Sequence, residues 1–376
     1  MPNRMRNKNF INLFIFYSLF LWLVSFGGSL LPVHFLAQGI SLNQMIFGRL
    51  IIPLTVFVCL LIFKSFNSRA AWRIAAVAFF GYLLLSVKVY NLPQFYFVHI
   101  LYGIAMFAFY LYYNIAHFKN TPTAKTGYSS ALMFSLGSII GIFAPLAAGY
   151  LFKADIRLLW IFSTVSFFAF FYFIGWQKNF HLFYSIKSAL FEVKSTRYFF
   201  LLEGVWEAIP FGVIPIFTLF FIKTPIEYGA YLAYLAFVSV VANILLGWLT
   251  DRMQKRAVFI YPLTIVMGLA TFLFIFAVKS ILLWIILTGF LQFLLPLFWN
   301  ISTAIMIDAK PNLELAMTGR EFLLNIGRVS GLLLVYASFL IEKTPHNLFF
   351  ILGAVMLFYP IVLLLNTKIR KKYNYL

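Results

Sequence analysis

The sequence predicts an all-α membrane protein whose twelve transmembrane helices form two pseudo-symmetric six-helix bundles. Three observations carry that reading. The 376 residues are 63% hydrophobic and 10% charged, whereas soluble domains carry about 25% charged residues. Apolar runs of about 20 residues, the length a helix needs to cross the hydrocarbon core, recur from end to end. A barrel would instead show alternation over about ten residues. The third observation is that residues of the second half repeat those of the first at corresponding places.

Taken in order, Arg4, Arg6 and Lys8 precede an apolar run from Phe10 to Leu36. That run exceeds the roughly 7–15 residues of a signal-peptide core, so it is read as a retained first helix. Further runs follow at 42–63, 72–89, 93–117, 127–152, 157–176, 198–222, 228–249, 257–278, 281–307, 318–341 and 346–366. No gap is long enough for a soluble domain. The longest carries Lys178, Lys187, Lys194 and Arg197 and is predicted to be a linker, partly an amphipathic surface helix. The expected units are an N-terminal bundle at 1–177, a cytoplasmic linker at 178–197 and a C-terminal bundle at 198–376.

The 29 Lys and Arg outnumber the 10 Asp and Glu. In a soluble protein that excess would suggest nucleic acid. Here the bases lie in turns between apolar runs, so membrane lipids with anionic headgroups are the expected partner and nucleic acid is not. With the N-terminus inside, the inner segments hold most of the bases, Arg320 among them. The outer loops hold only Lys88, Lys153, Arg157, Lys223, Lys279 and Lys343. This asymmetry places both termini in the cytoplasm and the chain in a cell (inner) membrane. Cys59 stands alone, and the five His form no metal spacing. There is no phosphate-binding Gly-x-x-x-x-Gly-Lys-(Ser/Thr) loop, no Ser/His/Asp grouping and no acidic metal cluster. The expectation is a monomeric protein that is not an enzyme and uses no cofactor.

The internal repeat is visible in two places. Gly103 in the fourth span is followed by Tyr113-Asn114-Ile115-Ala116, and Gly289 in the tenth is followed at the same interval by Trp299-Asn300-Ile301-Ser302. The fifth span reads Ser135-Leu-Gly137-Ser-Ile-Ile-Gly141, and the eleventh reads Asn325-Ile-Gly327-Arg328-Val-Ser-Gly331. Matches in corresponding spans point to a parallel repeat of six helices about an axis along the membrane normal.

Between the eighth and ninth runs lies Gly247-Trp-Leu-Thr-Asp251-Arg252-Met-Gln-Lys255-Arg256, a tight basic turn after one acid. It resembles the signature loop of the major facilitator superfamily, Gly-x-Leu-x-Asp-Arg-x-Gly-Arg-(Lys/Arg), with Gln254 at the second Gly. With the twelve spans and the repeat, the resemblance covers the whole chain. It implies a substrate cavity between two bundles, opened to one side at a time, with Gly247, Asp251, Arg252 and Arg256 holding the cytoplasmic side shut. It also implies that the first, fourth, seventh and tenth helices line the cavity while the second, fifth, eighth and eleventh join the halves. Asp251 is then expected near Thr126-Gly-Tyr-Ser129. The corresponding loop of the first half, Lys64-Ser-Phe-Asn-Ser-Arg69, lacks the acid, so no counterpart is expected to tie the second span to the eleventh. The fifth span, with Ala144-Pro145, resembles the Gly-Pro motif of the family's antiporters, Ala144 standing for the Gly.

Charges inside hydrocarbon are the sharpest pointers, because each costs roughly 2.5–3.5 kcal/mol on insertion scales. Glu203 and Glu207 in the seventh span are four apart and share a helix face, with Trp206 beside them. Glu207 lies about ten residues past Arg197, roughly 15 Å in. The eleventh span carries Glu321, Asn325 and Arg328 on one face, and Arg328 takes the place of Ser138 in the repeat. Glu207 and Arg328 are expected to pair, Glu203 and Glu321 being competing partners, either as a proton-coupling group or as a static fastener. Arg49, deep in the second span, has three readings: a contact to an anionic substrate group, a pair with an acid across the interface, or snorkelling to headgroups. Trp22, Trp206 and Gln292 complete the expected substrate contacts, Gln292 competing with a role in bonding a neighbouring helix.

The expected function is secondary active transport of a small organic solute by rocking the two bundles, coupled to protons as drug antiport or solute symport. The alternatives are a membrane-embedded enzyme acting on lipid-linked substrates and a non-transporting, receptor-like relative of a transporter. The acids favour a cationic substrate, Arg49 and Arg328 a carboxylate; sequence leaves substrate and direction open.

Overall fold

A backbone in hydrocarbon has no water to bond, so each apolar run closes its hydrogen bonds on itself as a helix. The computed structural model describes residues 2–120, 126–252, 256–309, 312–341 and 346–366. Side chains at 2–9, 126–131, 134, 246–252, 256–257 and 304–309 are not among those described. It contains twelve helices long and apolar enough to cross a membrane. In order these are Phe10–Ala37, Leu42–Ile62, Ser68–Ser86, Leu92–Lys119, Ser135–Ala154, Ile156–Ile174, Arg197–Phe220, Pro225–Leu245, Ile260–Ala277, Ile281–Thr303, Leu313–Ile341 and Asn347–Leu365.

The third and eleventh spans begin several residues before their apolar runs because asparagine caps extend them. Asn67 accepts from the N–H groups of Arg69 and Ala70, and Asn312 from that of Leu315. Such caps satisfy the free donors of a helix's first turn. They draw Arg69, expected in a loop, into helix, and they start the eleventh helix at Leu313, so that Arg320 lies about two turns inside it.

The halves pack through the fifth span on the eighth and the second on the eleventh. At the end far from the linker, the fifth and eighth come backbone to backbone. A Cβ added at Gly149 would lie 3.0 Å from the Pro225 carbonyl oxygen, and one at Gly229 only 2.5 Å from that of Pro145. The second and eleventh meet through aromatic pairs, Phe47 with Tyr336 (5.2 Å between centroids) and Phe57 with Phe322 (4.9 Å). At the linker end, Lys119 of the fourth span pairs with Glu314 of the eleventh. The halves therefore touch at both ends, with a cavity between.

The linker does more than connect. Residues His181–Phe183 pair antiparallel with Ser65–Asn67, Phe66 opposite Leu182, a two-stranded ladder the sequence did not signal. Arg69 Nε donates to the Gln177 carbonyl (2.7 Å), and the Tyr184 hydroxyl to that of Leu60 (3.0 Å). A surface helix, Ile186–Glu192, follows, opened by Ser185, whose hydroxyl accepts from the Ser188 N–H. It lies on the eleventh span, where a Cβ at Gly319 would approach the Val193 side chain to 2.8 Å.

Candidate functional site

The seventh span is the irregular one. A regular helix, Arg197–Trp206, gives way to a π turn at Ile209–Val213, then Ile214–Phe217 and a 3-10 turn at Thr218–Phe220. Pro210 and Pro215 have no N–H to donate, so the regular ladder cannot run through them. The widened turn starts just beyond Glu207 and leaves Glu207 and Phe211 facing the same cavity.

Glycines bring the eleventh span against this helix. A Cβ at Gly327 would lie 2.8 Å from the Gly204 Cα, and one at Gly331 2.9 Å from the Ala208 Cβ. Main-chain proximity of this kind allows short side-chain contacts between helices.

Five charged side chains use it. Glu203, wholly buried, accepts from Arg320 Nη2 (2.9 Å) and from the Ser302 hydroxyl (2.6 Å). Glu207, 2% exposed, accepts from Arg328 Nε (2.6 Å) and from Trp299 Nε1 (2.9 Å). Glu321 stands between the guanidiniums, 3.4 Å from Arg320 Nη1 and 4.0 Å from Arg328 Nη1. The Arg328 guanidinium also lies over the Phe211 ring at 5.2 Å, and Phe211 in turn stacks on Trp299. A buried charge is tolerable only when paired and hydrogen-bonded. Here each carboxylate has a guanidinium within ion-pairing distance.

Glu207, Glu321 and Arg328 form one wall of a cavity of about 400 Å³ between the halves, within the range that holds small molecules. The opposite wall belongs to the N-terminal half and includes Arg49, Tyr102, Tyr110 and Asn114. Arg49 therefore faces the cavity rather than headgroups. Among the described residues it has neither a hydrogen bond nor an ion pair, although Tyr82, His99, Tyr102 and Tyr228 lie within its electrostatic reach.

Three expected cavity contacts lie elsewhere. Trp22 stacks on Phe26 (5.5 Å) and does not line the cavity. Trp206, one residue before Glu207, is turned about 100° away on the helix. It is wholly buried in the C-terminal half and donates to the Thr271 hydroxyl (3.0 Å). Gln292 donates to the Ser239 hydroxyl (2.7 Å), fastening the tenth span to the eighth, while its repeat mate Met106 lines the cavity. Asn300 is buried away from the cavity, unlike Asn114. The eighth helix runs to Arg252 and a short turn starts at Arg256. The side chains of Gly247, Asp251, Arg252, Arg256 and of 126–129 lie outside the described residues.

Arg320, Ser302 and Trp299 were missed as parts of the network. Arg320 lies eight residues before Arg328, about 80° round the helix and so within one broad stripe, which was the available signal.

No protein-family model and no curated protein sequence matches this chain. Solved structures do match along its whole length. A bacterial homologue of the iron transporter ferroportin, in an outward-facing state, superimposes with a TM-score of 0.67 at 16% identity, over 97% of this chain and 99% of that one. The human organic anion transporter MFSD10 gives 0.65 at 11% identity, over 95% and 99%. A POT family transporter in complex with a thioalcohol-conjugated peptide gives 0.68 at 12% identity, over 96% of each chain. The fold is that of the major facilitator transporters.

Proposed function

We propose that this chain is a secondary active transporter that carries a small organic solute by alternating access of the cavity between its two bundles. The observation that carries the reading is the Glu207–Arg328 pair, placed in the cavity wall where the halves meet. That the solved structures of this fold named above are transporters supports it. The proposal retains a cell (inner) membrane with both termini cytoplasmic, and a cytoplasmic gate of Gly247, Asp251, Arg252 and Arg256.

Proton coupling is proposed to run through Glu203, Glu207 and Arg328. Protonation of Glu207 removes the charge that holds Arg328. Glu321, already 4.0 Å from Arg328 Nη1, is the carboxylate to which the guanidinium then turns. Glu203, sealed from the cavity, holds Arg320 and through it keeps Glu321 in place. A proton is thus exchanged for a reorganised cavity wall, which is what a coupled carrier needs.

Replacing Glu207 by Gln should abolish flux driven by a pH gradient in proteoliposomes while solute exchange continues in part. Full gradient-driven uptake by that variant rejects the role. Exchange that is also absent, with the protein correctly folded, would favour the static-fastener reading.

A further inference from the structure

We infer that the solute is an amphipathic organic anion whose anionic group is held by Arg49. This rests on the transporter reading above and names the substrate class of the same cavity. The argument begins with where cations have partners. Arg320 and Arg328 are both engaged by carboxylates at 2.9 Å or less. Arg49 has no such partner among the described residues, yet it sits inside the bundle on the cavity wall. Arg49 is half-buried, and a guanidinium set inside a membrane bundle without a counter-ion is costly. In a carrier, that cost is offset whenever a substrate anion arrives. The planar fork of Arg also suits a carboxylate better than a lysine would.

The rest of the cavity sets the remainder of the molecule. Ile52, Pro53 and Val56 continue the wall beside Arg49, and the stacked Phe211–Trp299 pair faces them from the other half. A body that fills this space is apolar or aromatic. Inorganic anions would leave it empty. A bare metal cation would face three guanidiniums on the cavity wall, and the described residues contain no cluster of His, Cys, Asp or Glu fit to hold one.

Charge counting extends the inference to stoichiometry. Three carboxyls, Glu203, Glu207 and Glu321, share two guanidiniums, so the network carries one surplus negative charge. Arg49 across the cavity restores neutrality. The remaining groups around these two poles are neutral when unionised: Ser302 and Trp299 from the tenth span, Tyr359 from the twelfth, and Tyr82, His99, Tyr102 and Tyr228 near Arg49. One anion on Arg49 and one proton on the network then leave the loaded cavity as neutral as the empty one. Symport of anion and proton in a one-to-one ratio is electroneutral.

The test uses three probes with one body: 3-phenylpropanoate, 3-phenylpropanol and 3-phenylpropylamine, added to the purified full-length protein. The carboxylate should raise the melting temperature and the other two should not. Arg49→Gln should lose that shift completely, and Arg49→Lys should keep part of it. Equal shifts from acid and alcohol, a larger shift from the amine, or no shift from the acid overturns the inference. If Arg49→Gln fails to fold, the comparison of probes on the unaltered protein still decides. In proteoliposomes, acid uptake should move one proton per anion and be indifferent to an imposed membrane potential. Stabilisation by the acid without flux of any probe would sink the transporter reading alone. Flux of the amine without the acid would keep that reading and sink the anion site.

Discussion

Gly327 and Gly331 in the eleventh span have repeat mates in Gly137 and Gly141 of the fifth, yet the two pairs are put to different uses. The first pair lets the seventh and eleventh helices meet along their main chains within one half. Among the described residues Gly137 faces only the end of Leu21 at 3.8 Å, and Gly141 turns to Ala236 of the other half at 3.0 Å. Close approach within the C-terminal half buries an ion network; close approach by the N-terminal half seals the seam between halves. The comparison teaches that a duplicated scaffold can divide its labour. One copy holds paired charges, and the other sets on the cavity wall Arg49, which has no ion pair among the described residues.

The largest effect should come from Arg328→Met, which leaves Glu207 buried without its cation. Breaking a buried pair from one side costs about 3–5 kcal/mol, and unfolding of the detergent-solubilised protein should show a loss of that order. Glu207→Met combined with Arg328→Met should recover most of it. A double variant as unstable as the single would mean that the network is held by something other than this pair. Next comes Gly327→Ala against Gly137→Ala. The former forces a methyl into the Gly204 backbone and should cost about 1–3 kcal/mol, whereas the latter meets ordinary van der Waals distance and should change stability by less than about 0.5 kcal/mol. Equal effects in thermal unfolding would erase the contrast between the halves. Smallest is Lys119→Gln, which removes the tie from the fourth span to Glu314. Both side chains are partly exposed, so the loss should stay below about 1 kcal/mol and shrink in high salt.

All twelve spans could be read from the sequence because hydrocarbon demands long apolar helices and tolerates little else. The pairing of Glu207 with Arg328 could be read too, since both carry costs at similar depth that only a partner offsets. Which way uncharged residues point could not. A helix that is apolar on every side has no polar face to fix its rotation, so nothing in the sequence tells that Trp22, Trp206 and Gln292 turn away from the cavity. Arg320 was hidden for a different reason. Counting bases to orient the membrane treats each as a headgroup contact, and the Asn312 cap that starts the eleventh helix about two turns before Arg320 is a single polar residue in a short gap.

The linker is stitched to one bundle by the Phe66–Leu182 ladder and the Tyr184 hydroxyl, and its helix is seated on the other beside Gly319. Between the anchored Tyr184 and the helix Ile186–Glu192 stands the single residue Ser185, so little chain is left to take up relative motion between those two anchorages. Any separation of the bundles at that face would be leashed by a length of backbone as well as by the side chains that meet across the cavity. A two-bundle fold so tethered has a widest separation at that face written into its chain.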